Sequence, residues 1–315
     1  MPGNKERGPD GQPACLQLFK AYVIGEHIDA HADMVLMVMA TPWMLLNFLR
    51  SMNSKWAQQI QGDVTGKASN AALNKMVIGV NSLGNHCNPL AYALIPDHTE
   101  SQNSYEEVWK ATAAAIRALM TRDVCDKVDC ECCRCISELR EQGEVRAYMS
   151  SPAFRVEKKL PVDFALGDNS YAWQNCVANV MGITSGLCQT HLSAIAANNG
   201  QHRKHFSCPA AYESFYELVC RLMPCAYDVQ PTYVGTGLQR KLVVLLHSRG
   251  EVAAAIWFEQ YWTGPVKGRW LCAHFGIGLT CYQNSLESQW RWDRRSICNN
   301  QQVRTCSALT SCDVL

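Results

Sequence analysis

The sequence predicts a mixed α/β fold, in which a central sheet of mixed strand directions is flanked by helices and interrupted by a largely helical insertion. Three short strand candidates follow one another at residues 56–66, 75–81 and 88–96, with turn-forming residues between them. A helix with an apolar stripe comes next, and a strand–helix–strand pattern follows at residues 161–190. Three strands in succession suggest an antiparallel meander, and the full order of strands and helices indicates an α+β or α/β fold with a mixed central sheet.

The helix after the third strand is expected at residues 104–120. Ser104 and Glu107 have the spacing of a capping box, in which a hydroxyl and a carboxylate bind the first free backbone amides of a helix. Four apolar residues then recur at helical spacing and predict one buried face: Val108, Ala111, Ala115 and Leu119.

The fourth strand is expected at residues 161–168. Val162, Phe164 and Leu166 alternate there on one face, and Asp168 is the last residue of the segment. This pattern places an acidic side chain at the end of a strand.

The elements after this strand are expected to be a helix, a strand and a long helical region. Asn169 and Ser170 are candidate caps for the helix, and a short strand is expected at residues 184–190. Residues 193–272 have a mainly helical pattern that breaks the alternation, and a last helix is expected at residues 284–296.

These elements predict five regions along the chain. Residues 1–55 are expected to be an N-terminal tail with a helical segment, and residues 56–192 the first part of the central α/β domain. Residues 193–275 are the helical insertion, residues 276–300 contain the closing helix of the domain, and residues 301–315 are a C-terminal tail.

The composition restricts the class of protein. Lys and Arg number 29 against 28 Asp and Glu, and this balance argues against tight, autonomous DNA binding, for which a basic domain would be expected. The N-terminal residues show no pattern of a secretory signal. The chain has 17 cysteines, and in an unsecreted protein they favour reduced thiols over a disulfide framework. We therefore expect an intracellular protein.

The run from Met34 to Leu49 is the candidate membrane segment of the sequence. It is shorter than the roughly 20 residues that a spanning helix needs, and Pro42 and Asn47 interrupt it. Two buried helical turns around Thr41 and Pro42 are the preferred interpretation, and no membrane partner is expected.

Three carboxylates occupy positions suited to metal-dependent phosphodiester chemistry. Asp63 lies in the first strand candidate of the meander, Asp168 ends the fourth, and Glu287 lies near the start of the last helix. Two-metal catalysis needs carboxylates from separate elements, because Mg²⁺ is a hard cation that prefers oxygen ligands. The chain has 28 acidic residues, so composition alone favours solvated side chains for all three.

Five phrases occur in the order found in the transposases of Mutator-like elements (MULE), and they extend over residues 56–292. The chain resembles that family in DVTGK at 63–67, PLAYALI at 89–95 followed by TES at 99–101, GDNSYA at 167–172, CQTH at 188–191, and YWTGPVKGRW at 261–270 followed by TCYQNSLES at 280–288. The turn before Glu287 is two residues longer than the usual form of the family.

The resemblance implies an RNase H-like catalytic domain with an Asp-Asp-Glu site. Asp63, Asp168 and Glu287 would be its catalytic residues and the ligands of Mg²⁺ or Mn²⁺, and Cys188 and His191 would have a supporting role. The implied reaction is cleavage of transposon ends followed by strand transfer to target DNA, by a nuclear protein that assembles with further copies of itself. Two alternatives stay open: a catalytically inactive, transposon-derived protein that binds DNA or chromatin, and a zinc-dependent interaction protein.

Basic residues close to these carboxylates are candidate contacts for DNA phosphates. Arg291 and Arg294 fall on the helix face of Glu287, and Lys67 closes the first phrase. A solvated salt-bridge face is the alternative for the two arginines. The basic run at residues 202–205 (HRKH) is expected to be simply solvated.

Two further clusters resemble metal sites. Cysteines in interleaved pairs suit structural zinc, with free thiols in a looped insertion as the alternative; the candidate ligands are Cys125, Cys130, Cys133 and Cys135. Alternating His and Asp at residues 27–33 (HIDAHAD) would face one side only on a strand, and the flanking residues show no strand pattern, so a solvated or capping segment is expected.

Overall fold

A computed structural model gives the fold. It describes residues 17–29, 34–54, 58–65, 73–81, 86–96, 101–123, 130–168, 170–183, 185–188, 200–225 and 231–263. Seven strands in these ranges form one sheet. They are β1 (Tyr22–Asp29), β2 (Met34–Ala40), β3 (Gln59–Thr65), β4 (Leu73–Asn81), β5 (Cys87–Pro96), β6 (Phe164–Gly167) and β7 (Ser185–Leu187).

The described helices comprise five before β7 and four after it. They are α1 (Pro42–Asn53), α2 (Gln102–Thr121), α3 (Glu131–Glu141), α4 (Gly143–Ser150), α5 (Tyr171–Cys176), α6 (Gly200–Arg203), α7 (Pro209–Cys225), α8 (Pro231–Ser248) and α9 (Val252–Trp262). Short π-helical turns follow α4 and α5, at Ala153–Glu157 and Val177–Met181.

The sheet has the strand order β1-β2-β5-β4-β3-β6-β7. The pairs β1–β2, β2–β5, β5–β4 and β4–β3 are antiparallel, whereas β3–β6 and β6–β7 are parallel. The chain therefore builds outward from β3 on one side through β4 and β5, and then crosses over to add β6 and β7 on the other side. This arrangement confirms the predicted mixed α/β fold and its antiparallel meander.

The segment before the meander departs from the predicted helical turns, because Met34–Ala40 is a strand that pairs with β5 and widens the sheet. Leu36, Val38 and Ala40 are buried at alternate positions, as a strand with one face on the core requires. The helix begins only at Pro42, where Thr41 Oγ1 accepts a hydrogen bond from the backbone amide of Met44 at 3.1 Å.

Helix α2 confirms the helix predicted after the third strand but begins earlier than its capping box suggested. Ser101 is the N-cap, and its Oγ accepts a hydrogen bond from the backbone amide of Ser104 at 3.1 Å. Ser104 itself lies inside the first turn and is fully buried. The predicted apolar stripe packs into the main hydrophobic core, which lies between one face of the sheet and helices α1 to α5.

The helices after β7 surround a second hydrophobic cluster. Phe206, Phe215 and Phe258 lie at its centre, and Leu187 of β7 also belongs to it. Helix α9 packs against α8. The mainly helical pattern of this region is confirmed for the described residues; the domain limits themselves stay predictions. None of the helices in the described ranges is both long and apolar enough to span a bilayer.

Candidate active site

The two predicted aspartates lie on neighbouring parallel strands. The pairing of β3 with β6 joins Gln61 to Leu166 as its last matched residues. Asp63 follows two residues later on β3, and Asp168 follows two residues later, directly after the end of β6. Continuing the register therefore sets the two aspartates side by side at the carboxyl end of the β3–β6 pair.

Both carboxylates belong to the same face of the sheet. On β3, Ile60 is part of the main core and Gly62 lies against the ring of Trp173. On β6, Ala165 is part of that core and Gly167 lies against the same ring. Since successive side chains of a strand alternate between faces, Asp63 and Asp168 are directed to the face opposite Trp173.

The indole of Trp173 packs against the backbone of both strands directly beside the aspartates. A Cβ placed on Gly62 would lie 2.7 Å from Cε3 and Cη2 of this ring. A Cβ placed on Gly167 would lie 2.8 Å from its Cγ and nearer still to Cδ1 and Nε1. Glycine is required at both positions because the ring approaches the backbone so closely. Trp173 is fully buried and packs edge-on against Tyr105 of α2 at 5.3 Å.

Hydrogen bonds to the backbone orient both carboxylates. Asp63 Oδ1 accepts from the amide of Val64 at 2.9 Å. Asp168 Oδ1 accepts from the amide of Ser170 at 2.8 Å, which forms an Asx turn before α5. Ser170 was a predicted cap of this helix; it occupies the N-cap position but makes no side-chain capping bond. Asn169, the other predicted cap, lies outside the described residues.

The topology of the sheet favours a ligand site at this position. In open α/β sheets, ligands bind beyond the carboxyl ends of strands, at the point where the chain changes the direction in which it adds strands. That point lies here between β3 and β6, since β4 and β5 extend the sheet to one side and β6 and β7 to the other. The aspartates therefore lie where the fold itself predicts a binding crevice.

Two further residues beside Asp63 were not identified from the sequence. Gln61 lies two residues before Asp63 on the same face, and its fully buried amide has no hydrogen-bond partner for either Oε1 or Nε2 in the described part of the chain. Cys87 begins β5 and is buried over Gly79, and burial together with the charge of Asp63 raises the pKa of its thiol to about 12. Neither residue belongs to a local motif, so only the fold places them here.

The other predicted site residues are placed only in part. Cys188 directly follows β7, is buried, and donates its backbone amide to Gly167 O at 2.8 Å, one residue before Asp168. The remaining five predicted residues of this region lie outside the described residues: Lys67, His191, Glu287, Arg291 and Arg294.

The candidate zinc ligands lie around the start of α3. Cys130 is the N-cap of this helix, Cys133 is buried and Cys135 is half-buried, while Cys125 lies outside the described residues. Cys133 and Cys135 are two residues apart in the helix, so their side chains are directed about 200° apart around the helix axis. No group of three or more His, Cys, Asp or Glu within the described ranges is arranged to hold a metal ion.

The alternating His and Asp segment begins on a strand, contrary to the expectation of no strand pattern. Residues 27 and 29 belong to β1, which pairs with β2. Residues 31 and 33 lie outside the described residues. The first half of this motif, residues 27 and 29, therefore has the geometry of a strand.

Comparison with known proteins adds no relative. No family model, no curated protein and no solved structure matches the chain.

Proposed function

We propose that the chain is the catalytic domain of a DDE-type transposase, an RNase H-like enzyme that cleaves transposon ends and joins them to target DNA. The observation that supports this function best is the position of Asp63 and Asp168. Asp63 lies near the carboxyl end of β3 and Asp168 directly follows the neighbouring strand β6, at the point where strand addition changes direction. The order of elements, a meander followed by helices and then two parallel strands, agrees with the fold that the family resemblance implies.

The residues present fit a hard divalent cation. Aspartate oxygens are the ligands that Mg²⁺ and Mn²⁺ prefer. The amide oxygen of Gln61, which is buried and has no hydrogen-bond partner among the described residues, is also a hard oxygen ligand. In this proposal Asp63 and Asp168 hold the metal ions together with Glu287. When bound, the ions supply activation of the attacking oxygen and neutralise charge at the phosphorus.

The protein's own contribution is positioning. Backbone pairing sets the separation of the two strands, and Trp173 packs closely against both at Gly62 and Gly167. The backbone bonds to Asp63 and Asp168 fix the direction of their carboxylates. Preorganised ligands lose little freedom when an ion binds, which favours catalysis at a site held by rigid elements. The partners in this proposal are DNA and further copies of the chain, in the nucleus.

A nicking assay tests the proposal without knowledge of the target sequence. The purified chain is incubated with supercoiled plasmid in Mn²⁺ or Mg²⁺, and conversion to open-circular DNA is followed over time. We expect Asp63→Asn, Asp168→Asn and Glu287→Gln each to lower the rate by at least about a hundredfold, since each removes a metal ligand. The control variant Asp123→Asn changes an exposed carboxylate after α2 and should leave the rate unchanged.

A direct metal-binding measurement separates catalysis from binding. Titration of Mn²⁺ by calorimetry should show weaker binding in Asp63→Asn and Asp168→Asn than in Asp123→Asn. If both active-site variants bind Mn²⁺ and nick plasmid like the wild type, the catalytic assignment is wrong. DNA binding that persists in such variants without any cleavage by the wild type would favour the inactive, transposon-derived alternative.

A further inference from the structure

The helical region contains an open cleft between the segment that follows α6 and one face of α9. Its volume is about 480 Å³, within the range of about 300–1,000 Å³ that is usual for ligand sites. His202, Lys204 and His205 form one wall. The other wall consists of residues of α9 that share one helix face, among them Ile256 and Trp257. We call it the imidazole–indole cleft.

The aromatic rings of this cleft pack closely on one another, with the imidazoles outermost. His205 stacks on Trp257 with an interplanar angle of 11° and centroids 5.3 Å apart, and His202 lies 5.0 Å away from the same indole at 36°. Behind them, Phe206 and Phe215 pack edge-on against the indole at 6.2 and 6.5 Å. The indole is thus fixed by the second hydrophobic cluster while the imidazoles remain half-exposed at the surface.

The charge around the rings is positive. Lys204 is exposed at the wall of the cleft, and partial burial together with this lysine lowers the pKa of His205. The described residues that line the cleft include no carboxylate. Glu251, which precedes α9, instead accepts hydrogen bonds from the amide and hydroxyl of Ser207. The described lining of the cleft therefore combines aromatic rings with the cation of Lys204 and includes no carboxylate to pair with it.

A large apolar side chain is also exposed at the cleft. Ile256 is 45% exposed beside the rings, although α9 buries Ala254, Ala255 and Phe258 on its core side. Exposed apolar surface next to flat rings is covered favourably by a planar, weakly polar ligand. A nucleobase has this character, and its phosphate would meet the lysine.

We propose that the imidazole–indole cleft binds single-stranded nucleic acid, with a base covering the His205–Trp257 rings and Ile256 and a neighbouring phosphate at Lys204. Sequence-tolerant binding of single strands depends on this combination of stacking rings and positive charge. A duplex keeps its bases stacked on one another and offers only phosphates, so it gains nothing from the rings. An acidic peptide would satisfy the lysine but leave the ring surface exposed to water. Its lining includes neither Asp63 nor Asp168, and binding there needs no metal.

Equilibrium binding of a labelled single strand tests this proposal. The full chain, in EDTA and at low salt, is titrated against a short fluorescein-labelled oligothymidylate, and fluorescence anisotropy gives the Kd. Ile256→Glu should raise the Kd at least about tenfold, since a carboxylate replaces the apolar contact and repels phosphate. Lys204→Ala should raise it several-fold. Bound base should also quench part of the tryptophan fluorescence, and Trp257→Phe should remove this quenching.

Matched variants separate the cleft from general surface charge. Val244→Glu, at a residue 66% exposed on α8, controls for the added carboxylate, and Lys241→Ala, also exposed on α8, controls for the lost cation. Circular dichroism verifies that each variant is folded. The proposal is overturned if the cleft variants weaken binding no more than their controls, or if heparin or duplex DNA binds as tightly as the single strand. Because divalent ions are absent throughout, this outcome is independent of the nicking assay.

Discussion

The contact between Gly167 and Trp173 allows a quantitative prediction for the variant Gly167→Ala. A Cβ at this position would lie 2.8 Å from Cγ of the indole and closer still to two further ring atoms. Carbon atoms in normal contact are about 3.5–4.0 Å apart, so the ring must move by about 1 Å or more. Trp173 is fully buried and held by Tyr105, which leaves it little room to move. Overpacking of this kind destabilises a core by about 1–3 kcal/mol, and we expect the upper part of that range.

Urea unfolding followed by far-UV circular dichroism measures this loss. The control is Gly143→Ala: Gly143 begins α4, and a Cβ there would meet nothing within 4 Å, so no loss of stability is expected. The loss of stability caused by Gly167→Ala should be smaller in a Trp173→Leu background, because the smaller side chain makes room for the methyl group. A free energy of unfolding within about 0.5 kcal/mol of the wild type for Gly167→Ala would contradict the close approach of ring and strand.

Three further predictions concern other parts of the fold. Thr41→Ala should destabilise the protein by about 1 kcal/mol in urea unfolding, because α1 loses its N-cap, whereas Thr121→Ala at the exposed end of α2 should have less effect. Arg140→Ala should lower the free energy of unfolding by about 2 kcal/mol, because this guanidinium donates to two carbonyl oxygens at the end of α2. Arg146→Ala, at an exposed arginine, is the control, and an equal loss of stability in both variants would contradict this role. The raised pKa of Cys87, about 12, means that the unfolded state releases this proton at a lower pH than the folded state does. The stabilisation that comes from this raised pKa is present below the ordinary thiol pKa and is lost as the pH rises toward 12. Cys87→Ala should therefore make the decline of the free energy of unfolding above pH 9 shallower by about 1.4 kcal/mol per pH unit.

Local patterns predicted the meander and α2 but not every boundary. The strands β3 to β5 are short runs of strand-forming residues bounded by turn residues, a pattern carried by adjacent residues, which is why they are recognisable. Ser101 and Ser104 can each cap a helix, and they lie one turn apart; the structure uses Ser101 because Ser104 is buried in the core. The run at Met34–Ala40 consists of residues that suit a helix as well as a strand, and only its pairing with β5 decides between them.

At the candidate site, too, local sequence patterns identify residues but not which of them lie together. Asp63 and Asp168 could be named from the sequence, but their adjacency depends on a strand pairing that no local pattern encodes. Gln61 and Cys87 belong to no sequence motif, and their proximity to Asp63 follows from their burial on one face of the sheet. The sequence predicts only a solvated basic run at residues 202–205; its stacking partner, Trp257, lies on a different helix, and no local pattern connects the two.

The junction of β3 with β6 also has a consequence for synthesis of the chain. The backbone amide of Gln58 binds the carboxylate of Asp163 at 2.7 Å, and these residues lie 105 positions apart. At about 5–20 residues per second, the ribosome needs roughly 5–20 s to produce β6 after β3. During that time β3 has one open edge, which other chains can pair with. Nascent chains arrested before residue 160 should therefore associate with chaperones or aggregate, whereas chains extended well past β6, so that it has left the ribosome, should not.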